Sequence, residues 1–197
     1  IYSTGGTFSF ISDLGIGSEK VEDLTGYPSI LGGRVKTLHP SVFGGILARR
    51  ENAGDLEQLG KYGIPEIDLV IVDLYPFEET VQSTENEDEI IEKIDIGGIS
   101  LIRAGAKNYR DVLIVSSVKQ YPRLLELLKE KRGITGIEER RLFAAEAFQA
   151  SSHYDTAIFN YFNRKEDVEA FRVSLNEAYH LRYGENPHQK GIFFGDP

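Results

Sequence analysis

Two cations, a hydroxyl and an imidazole fall within residues 34–39 (RVKTLH), directly after a pair of glycines. Glycines let backbone amides approach a ligand closely, and alternate side chains of an extended segment lie on one face. In such a segment Arg34 and Lys36 point the same way, which suits an anion such as a phosphate. A bare Arg-x-Lys is more often a solvated basic loop, so this segment indicates a site only together with other clusters.

A second cluster, residues 3–7 (STGGT), stands where a predicted strand gives way to a predicted helix. Ligands bind at the carboxyl ends of strands in open α/β sheets, and the amides of a helix N-terminus attract anions. The alternative is a tight turn that needs its glycines for backbone reasons alone. The position at the strand end favours an anion site.

Three further polar residues stand at the ends of predicted elements. Tyr75 follows the apolar run 68–74, where a phenol could exchange a proton, although an aromatic plug before Pro76 explains it at least as well. Asp95 precedes the start of a predicted helix and could be only a helix cap. Lys107 ends that helix, where a cation usually just complements the helix dipole.

Composition and missing motifs exclude several classes of function. The net charge of −9 argues against non-specific nucleic-acid binding, the chain has no cysteine, and its four histidines are scattered. His39 has no second ligand at metal spacing, so no metal site is expected. Motifs of serine hydrolases, P-loop ATPases and dinucleotide-binding proteins are absent from the sequence. No signal peptide or membrane-spanning run is visible, so a cytoplasmic location is predicted.

The order of elements predicts an α/β fold with parallel strands. The runs 68–74 and 112–115 have the apolar character of strands covered on both faces. Apolar residues at helical spacing over 8–14 predict a helix that ends at Gly15. With the preceding strand and glycine turn, this helix forms half of a βαβ unit.

The second half of the chain has a different, helical character. Thr84 is expected to cap a helix whose first turn is acidic. Helices are predicted over 121–131 and, as one or two helices, over 137–162, before a charged linker at 163–169. Residues 181–190 are dense in polar groups and turn formers.

Taken together, the motifs of this chain resemble those of one known family. They are STGGT (3–7), LGGRVKTLHP (31–40), DLYPFEETV (73–81), IDIGG (94–98), IRAGAKN (102–108) and LRYGENPHQ (181–189). In order and spacing they resemble the IMP cyclohydrolase half of the bifunctional enzymes that join 5-aminoimidazole-4-carboxamide ribonucleotide (AICAR) transformylase to IMP cyclohydrolase. The resemblance implies a methylglyoxal-synthase-like, Rossmann-type parallel sheet with flanking helices. It also implies a homodimer that closes formyl-AICAR to inosine monophosphate (IMP), without a cofactor.

The resemblance also implies which residues form the sites. The substrate would be bound by Ser3, Thr4, Gly5, Gly6, Thr7, Arg34, Thr37, Ile96 and Gly97. The positions credited with ring closure are Lys36, Tyr75, Asp95 and Lys107. Contacts of the transformylase with AICAR, whose co-substrate is 10-formyl-tetrahydrofolate, would be made by Arg182, Tyr183 and His188. Two departures stand out: Asp73 replaces an expected Asn, and Gly105 replaces an expected Ala at a cost to helix stability.

Three segments are expected from the resemblance. Residues 1–120 would be the cyclohydrolase core, 121–170 a helical section and linker, and 171–197 the beginning of the transformylase domain. The chain begins on Ile1 inside a predicted strand, so we expect the family's first strand and phosphate loop to precede it. A polypeptide limited to these 197 residues is then expected to be a poor cyclohydrolase and no transformylase.

Two other functions remain open from the residues. A non-catalytic sensor of a phosphate ligand fits STGGT equally well, and methylglyoxal synthase has the same predicted fold. The combination of RVKTLHP, IDIGG and LRYGENPHQ is not expected in either of them and favours the cyclohydrolase.

Overall fold

The computed structural model describes residues 1–195. Its strands are β1 (Tyr2–Ser3), β2 (Glu19–Lys20), β3 (Leu69–Ile71), β4 (Leu113–Val115), β5 (Ala178–Leu181) and β6 (Gly191–Phe194). Its helices are α1 (Gly5–Asp13), α2 (Val21–Thr25), α3 (Pro40–Leu47), α4 (Ala53–Tyr62), α5 (Phe77–Ser83), α6 (Glu87–Ile91), α7 (Gly97–Lys107), α8 (Tyr121–Glu130) and α9 (Ile137–Phe162). The residues form two compact units, the first from 1–75 and 95–148, and the second from 76–94 and the residues after 148.

Parallel strand pairs form the first unit, as the sequence predicts. β1 pairs with β2, and β3 pairs with β4, with Leu69 opposite Leu113 and Ile71 opposite Val115. Each strand is only two or three residues long, shorter than the predicted run 68–74. One more backbone bond, from Val72 N to Val115 O, continues the pairing just beyond β3.

Strand β4 lies in the middle of the core. Val112 and Ile114 join a cluster with residues of α3 and α7, whereas Leu113 and Val115 join a second cluster with residues of α8. Side chains of a strand point alternately to its two faces, so β4 is covered on both, as predicted.

Helix α7 is fixed against this core at its C-terminal end. A Cβ on Gly105 would lie 3.1 Å from the Cβ of Ile114, so Gly105 permits close approach of helix and strand and does more than weaken the helix. Asn108, directly after α7, is buried and donates to Ile46 O and Ala48 O, both at 2.9 Å. These two bonds join the ends of α7 and α3.

The second unit is built around aromatic contacts. Phe77 is buried and packs edge-on against Tyr154 and Tyr161, and the Tyr154 hydroxyl donates to Lys93 O at 2.5 Å. Strands β5 and β6 form an antiparallel hairpin.

Two expectations for the helices are corrected or resolved. Thr84 does not cap α6, because the Asn86 side chain accepts from the amides of Asp88 and Glu89. The region 137–162 is one continuous helix. No helix in the described part of the chain is both long and apolar enough to span a membrane.

Candidate functional site

The sheet direction places the predicted residues at one of two edges. Helix α7 packs along β3 and β4 and is joined to β4 by five residues, so it runs antiparallel to the strands. Its first turn therefore lies at the carboxyl edge of the strands, and its last turn at the amino edge. Tyr75, which follows β3, also lies at the carboxyl edge, where ligands bind in such sheets.

Two distant motifs meet at the start of α7. A Cβ placed on Gly97 would lie only 3.0 Å from the hydroxyl oxygen of Thr37. The segment that carries Lys36 and Thr37 therefore packs directly against the first amides of α7. First-turn amides have no acceptor four residues earlier in the helix; the Gly98 amide donates to Asp95 Oδ1, and the amide of Gly97 is placed to donate to a ligand.

The segment around Arg34 is a tight turn rather than an extended strand. Leu31, Gly32 and Gly33 all have positive φ, at 53°, 65° and 94°, and Ile30 and Val35 pair as an isolated antiparallel bridge. Arg34 ends this turn with helical angles (φ −67°, ψ −22°). The expectation of an extended segment, in which alternate side chains would set Arg34 and Lys36 on one face, is therefore wrong.

Lys36 folds back over the turn instead. A Cβ on Gly33 would lie 2.8 Å from Lys36 Cε and 3.0 Å from Nζ. Gly33 is thus required both for its positive φ and for the space that the Lys36 side chain occupies.

Asp95 caps helix α7. Its Oδ1 accepts from the Gly98 amide at 2.6 Å, and a Cβ on Gly98 would lie 2.5 Å from Oδ2. The capping interpretation is therefore confirmed, and the second carboxylate oxygen lies beside the same backbone. This arrangement fixes the carboxylate at the mouth of the helix.

Lys107 is separated from Asp95. The two residues flank α7 at opposite ends, and its 11 residues span about 16 Å at 1.5 Å per residue. Direct contact between Asp95 and Lys107 within one chain is therefore not formed, whereas Tyr75 and Asp95 both lie at the carboxyl edge. A role for Lys107 in catalysis stays a prediction.

Residues 3–7 lie at the end of β1 and the start of α1, and Gly5 of this motif lines a cleft. Ser3 ends β1, Thr4 precedes α1 without a capping bond from its side chain, and Gly6 and Thr7 lie in the exposed first turn. The cleft has a volume of about 590 Å³ and is lined by Gly5, Phe8, Ser9, Lys20, Glu22, Asp23, Pro28 and Ser29. Because Ser29 Oγ also lies 3.8 Å from a Cβ placed on Gly33, the cleft reaches the turn before Arg34.

Lys20 is a cation that the sequence pattern did not single out. It pairs with Ser3 in the β1–β2 ladder, and its Nζ lies 5.3 Å from the centre of the Phe8 ring. Its strand has only two residues, so no alternation of apolar and polar residues marked it.

The predicted transformylase contacts lie in the second unit. Arg182, Tyr183 and His188 are exposed in the loop between β5 and β6. The loop is ordered by its own bonds, from Gly184 N to Gln189 O at 2.8 Å and from Asn186 N to the Gln189 side chain at 3.0 Å.

The described residues include no cluster of metal-ligating side chains. Residues 1–195 contain no group of three histidine, cysteine or carboxylate side chains placed to hold an ion. His39, the histidine nearest the site in sequence, uses Nδ1 to accept from Ser41 N at 3.2 Å at the start of α3.

Comparisons with known proteins agree with this fold and these motifs. The MGS-like domain family matches residues 1–100, and the AICARFT/IMPCHase bienzyme family matches residues 105–197. The bifunctional purine biosynthesis protein PurH of Bacteroides thetaiotaomicron is 65% identical over 194 residues, which cover 98% of this chain and 38% of that protein. PurH of Thermoanaerobacter sp. is 44% identical over 201 residues, covering 100% of this chain and 39% of that protein.

A solved structure supports the same fold. The crystal structure of ForH superposes with a TM-score of 0.73 at 37% sequence identity, covering 84% of this chain and 85% of that one. The methylglyoxal-synthase-like α/β fold expected from the sequence is thus confirmed. The chain belongs to the AICARFT/IMPCHase bienzyme family, whose PurH members are bifunctional enzymes of purine biosynthesis. It spans 38–39% of the length of the two PurH relatives named above.

Proposed function

We propose that this protein is an IMP cyclohydrolase that closes formyl-AICAR to IMP. The carboxamide nitrogen of the substrate attacks the formyl carbon of the same molecule and gives up a proton, and the formyl oxygen takes up the electron pair and a proton. The resulting hydroxyl then leaves as water together with the proton of the formamide nitrogen. A carboxamide nitrogen is a poor nucleophile, so holding it close to the formyl carbon supplies much of the rate advantage. No step requires a metal or a redox cofactor.

The packing of Thr37 against Gly97 carries this proposal. It brings the loop of Lys36 to the amides of Ile96 and Gly97 at the start of α7, and a lysine and backbone amides are donors suited to an oxyanion. The substrate's phosphate and ribose would occupy the cleft next to residues 3–7, with Arg34 and Lys20 as nearby cations.

Proton movement is assigned to the two groups at the carboxyl edge. Tyr75 is exposed after β3, and Asp95 is fixed by its bond to Gly98 N. A carboxylate and a phenol can pass a proton between the carboxamide nitrogen, the formyl oxygen and the leaving water.

The remaining parts of the proposal concern the whole protein. We infer that the complete gene product is a cytoplasmic homodimer and also transfers a formyl group from 10-formyl-tetrahydrofolate to AICAR, using Arg182, Tyr183 and His188. The PurH name of the relatives supports bifunctionality. Because the chain spans 38% of the B. thetaiotaomicron relative, activities are to be measured on the complete gene product.

Two variants separate chemistry from binding. Lys36→Ala should lower kcat by roughly 10²–10³, as expected for loss of one oxyanion donor, whereas a change confined to KM would assign Lys36 to substrate binding alone. Arg34→Ala should weaken IMP binding, and more so at low salt, where the charge is least screened. Unchanged IMP affinity in Arg34→Ala would remove Arg34 from the pocket.

A further inference from the structure

The segment after β3 holds two polar side chains on one face. Burial alternates along it: Val72 and Leu74 are partly buried, whereas Asp73 and Tyr75 are exposed. Val72 and Leu74 pack against the core, and Val72 N donates to Val115 O at 2.9 Å. Because alternate residues of an extended segment share a face, whatever fixes Asp73 also fixes the side from which Tyr75 projects.

Tyr121 holds Asp73. Its hydroxyl donates to Asp73 Oδ2 at 2.5 Å across 48 positions of sequence. Tyr121 is 39% exposed, and its partial burial, followed by the hydrogen bond and charge of Asp73, raises its pKa to about 12. The phenol therefore remains a donor to the carboxylate at any pH at which the enzyme would work.

Tyr121 is itself held firmly in place. The buried Gln120 side chain accepts from Ser116 N at 2.7 Å and donates to the carboxylate of Glu146 on α9. Glu146 also accepts from Arg123, whose guanidinium lies 4.1 Å from the centre of the Phe143 ring. The start of α8 is thus fixed to β4 and to α9, and Tyr121 extends from this fixed point to the loop after β3.

We propose that Tyr121 is a positioning residue for Tyr75, acting through its hydrogen bond to Asp73. The bond fastens the loop after β3 to the start of α8, both at the carboxyl edge, and so sets where the Tyr75 phenol meets the substrate. This inference rests on the proposed cyclohydrolase function for its kinetic test, but not for its structural test.

The kinetic test compares two phenylalanine variants in the complete gene product. Tyr121→Phe removes the donor and keeps the ring, and it should lower kcat for formyl-AICAR by roughly 10- to 100-fold, with KM changing little, because a small misplacement of a reacting group is costly. Tyr62→Phe, the matched control, removes the same atom from an exposed tyrosine on α4, and its kcat should stay within about twofold of the parent.

A double-variant cycle tests whether the effect passes through Asp73. Asp73→Ala should lower kcat about as much as Tyr121→Phe, and the double variant should be no slower than either, since both remove one interaction. Asp73→Asn keeps an acceptor oxygen for the Tyr121 hydroxyl, and its kcat should be closer to that of the parent than the kcat of Asp73→Ala. The proposal would be overturned if the kcat losses of the two single variants multiplied in the double variant, or if Tyr121→Phe kept a normal kcat.

Amide hydrogen exchange provides the readout that is independent of catalysis. In Tyr121→Phe, the amides of Leu74 and Tyr75 should exchange faster than in the parent. In Tyr62→Phe, the same two amides should exchange at the parent's rate. Unchanged exchange at these two amides would overturn the positioning role even if kcat fell. If the parent itself fails to convert formyl-AICAR, the proposed function is wrong, and the exchange result alone then decides on Tyr121.

Discussion

Asp95 has two roles that different substitutions can separate. Its Oδ1 accepts from Gly98 N at 2.6 Å, so Asp95→Ala removes a helix cap and should lower the free energy of unfolding by about 1 kcal/mol. Asp95→Asn retains an acceptor oxygen for the Gly98 amide and should lower the free energy of unfolding by only a few tenths of the loss in Asp95→Ala. If the carboxylate also moves a proton during ring closure, both variants should lose roughly 10²–10⁴ in kcat.

A second helix cap gives the matched control. The Asn52 side chain accepts from Asp55 N at 3.1 Å at the start of α4, in the same manner as Asp95. Asn52→Ala should therefore lose about 1 kcal/mol of stability and keep its turnover. Urea unfolding measures the stabilities, and the absorbance of IMP at saturating formyl-AICAR measures kcat. A stable Asp95→Asn variant with near-normal kcat would refute the catalytic role and leave Asp95 as a cap.

Two further predictions concern packing and pH. The Cβ of Gly60→Ala on α4 meets nothing within 4 Å, so this variant should raise the free energy of unfolding by about 0.5–1 kcal/mol. Gly105→Ala should not raise it, because its Cβ would press on Ile114. Equal gains in the free energy of unfolding for the two variants would contradict the tight packing at Gly105. Burial alone would raise the pKa of Glu146, but the hydrogen bonds from Arg123 and Gln120 lower it below its ordinary value. The stabilisation is therefore present above the ordinary glutamate pKa of about 4.3 and is lost as pH falls through the lowered value. Glu146→Gln should be less stable than the parent by about 1 kcal/mol at pH 7, and chemical unfolding at pH 7 and in acid should show this difference shrinking below about pH 4; a constant difference would contradict it.

Local patterns were sufficient for several features of the fold. The apolar run at 112–115 predicted a strand covered on both faces, and β4 is such a strand. The small residues before α1 and α7 predicted the helix starts, and Asp95 was recognised as a possible cap. Each of these predictions depends only on residues that are close together in the sequence.

Other features depend on contacts that no local pattern encodes. Three successive residues of positive φ, one of them Leu31, turned an expected extended segment into a tight turn. The bond between Tyr121 and Asp73 joins distant segments, and Lys20 reaches the cleft only through its register with Ser3. Lys107 was grouped with Asp95 by resemblance, although the predicted helix already placed the two residues at its opposite ends, and the 11 residues of α7 keep them apart.

The conversion of formyl-AICAR by the complete gene product tests the central claim most directly. We predict that IMP accumulates, as followed by its absorbance, at a rate proportional to enzyme concentration, and that Lys36→Ala lowers this rate by roughly 10²–10³. Tight IMP binding without any conversion of formyl-AICAR would contradict the account and assign the protein to the non-catalytic ligand sensors.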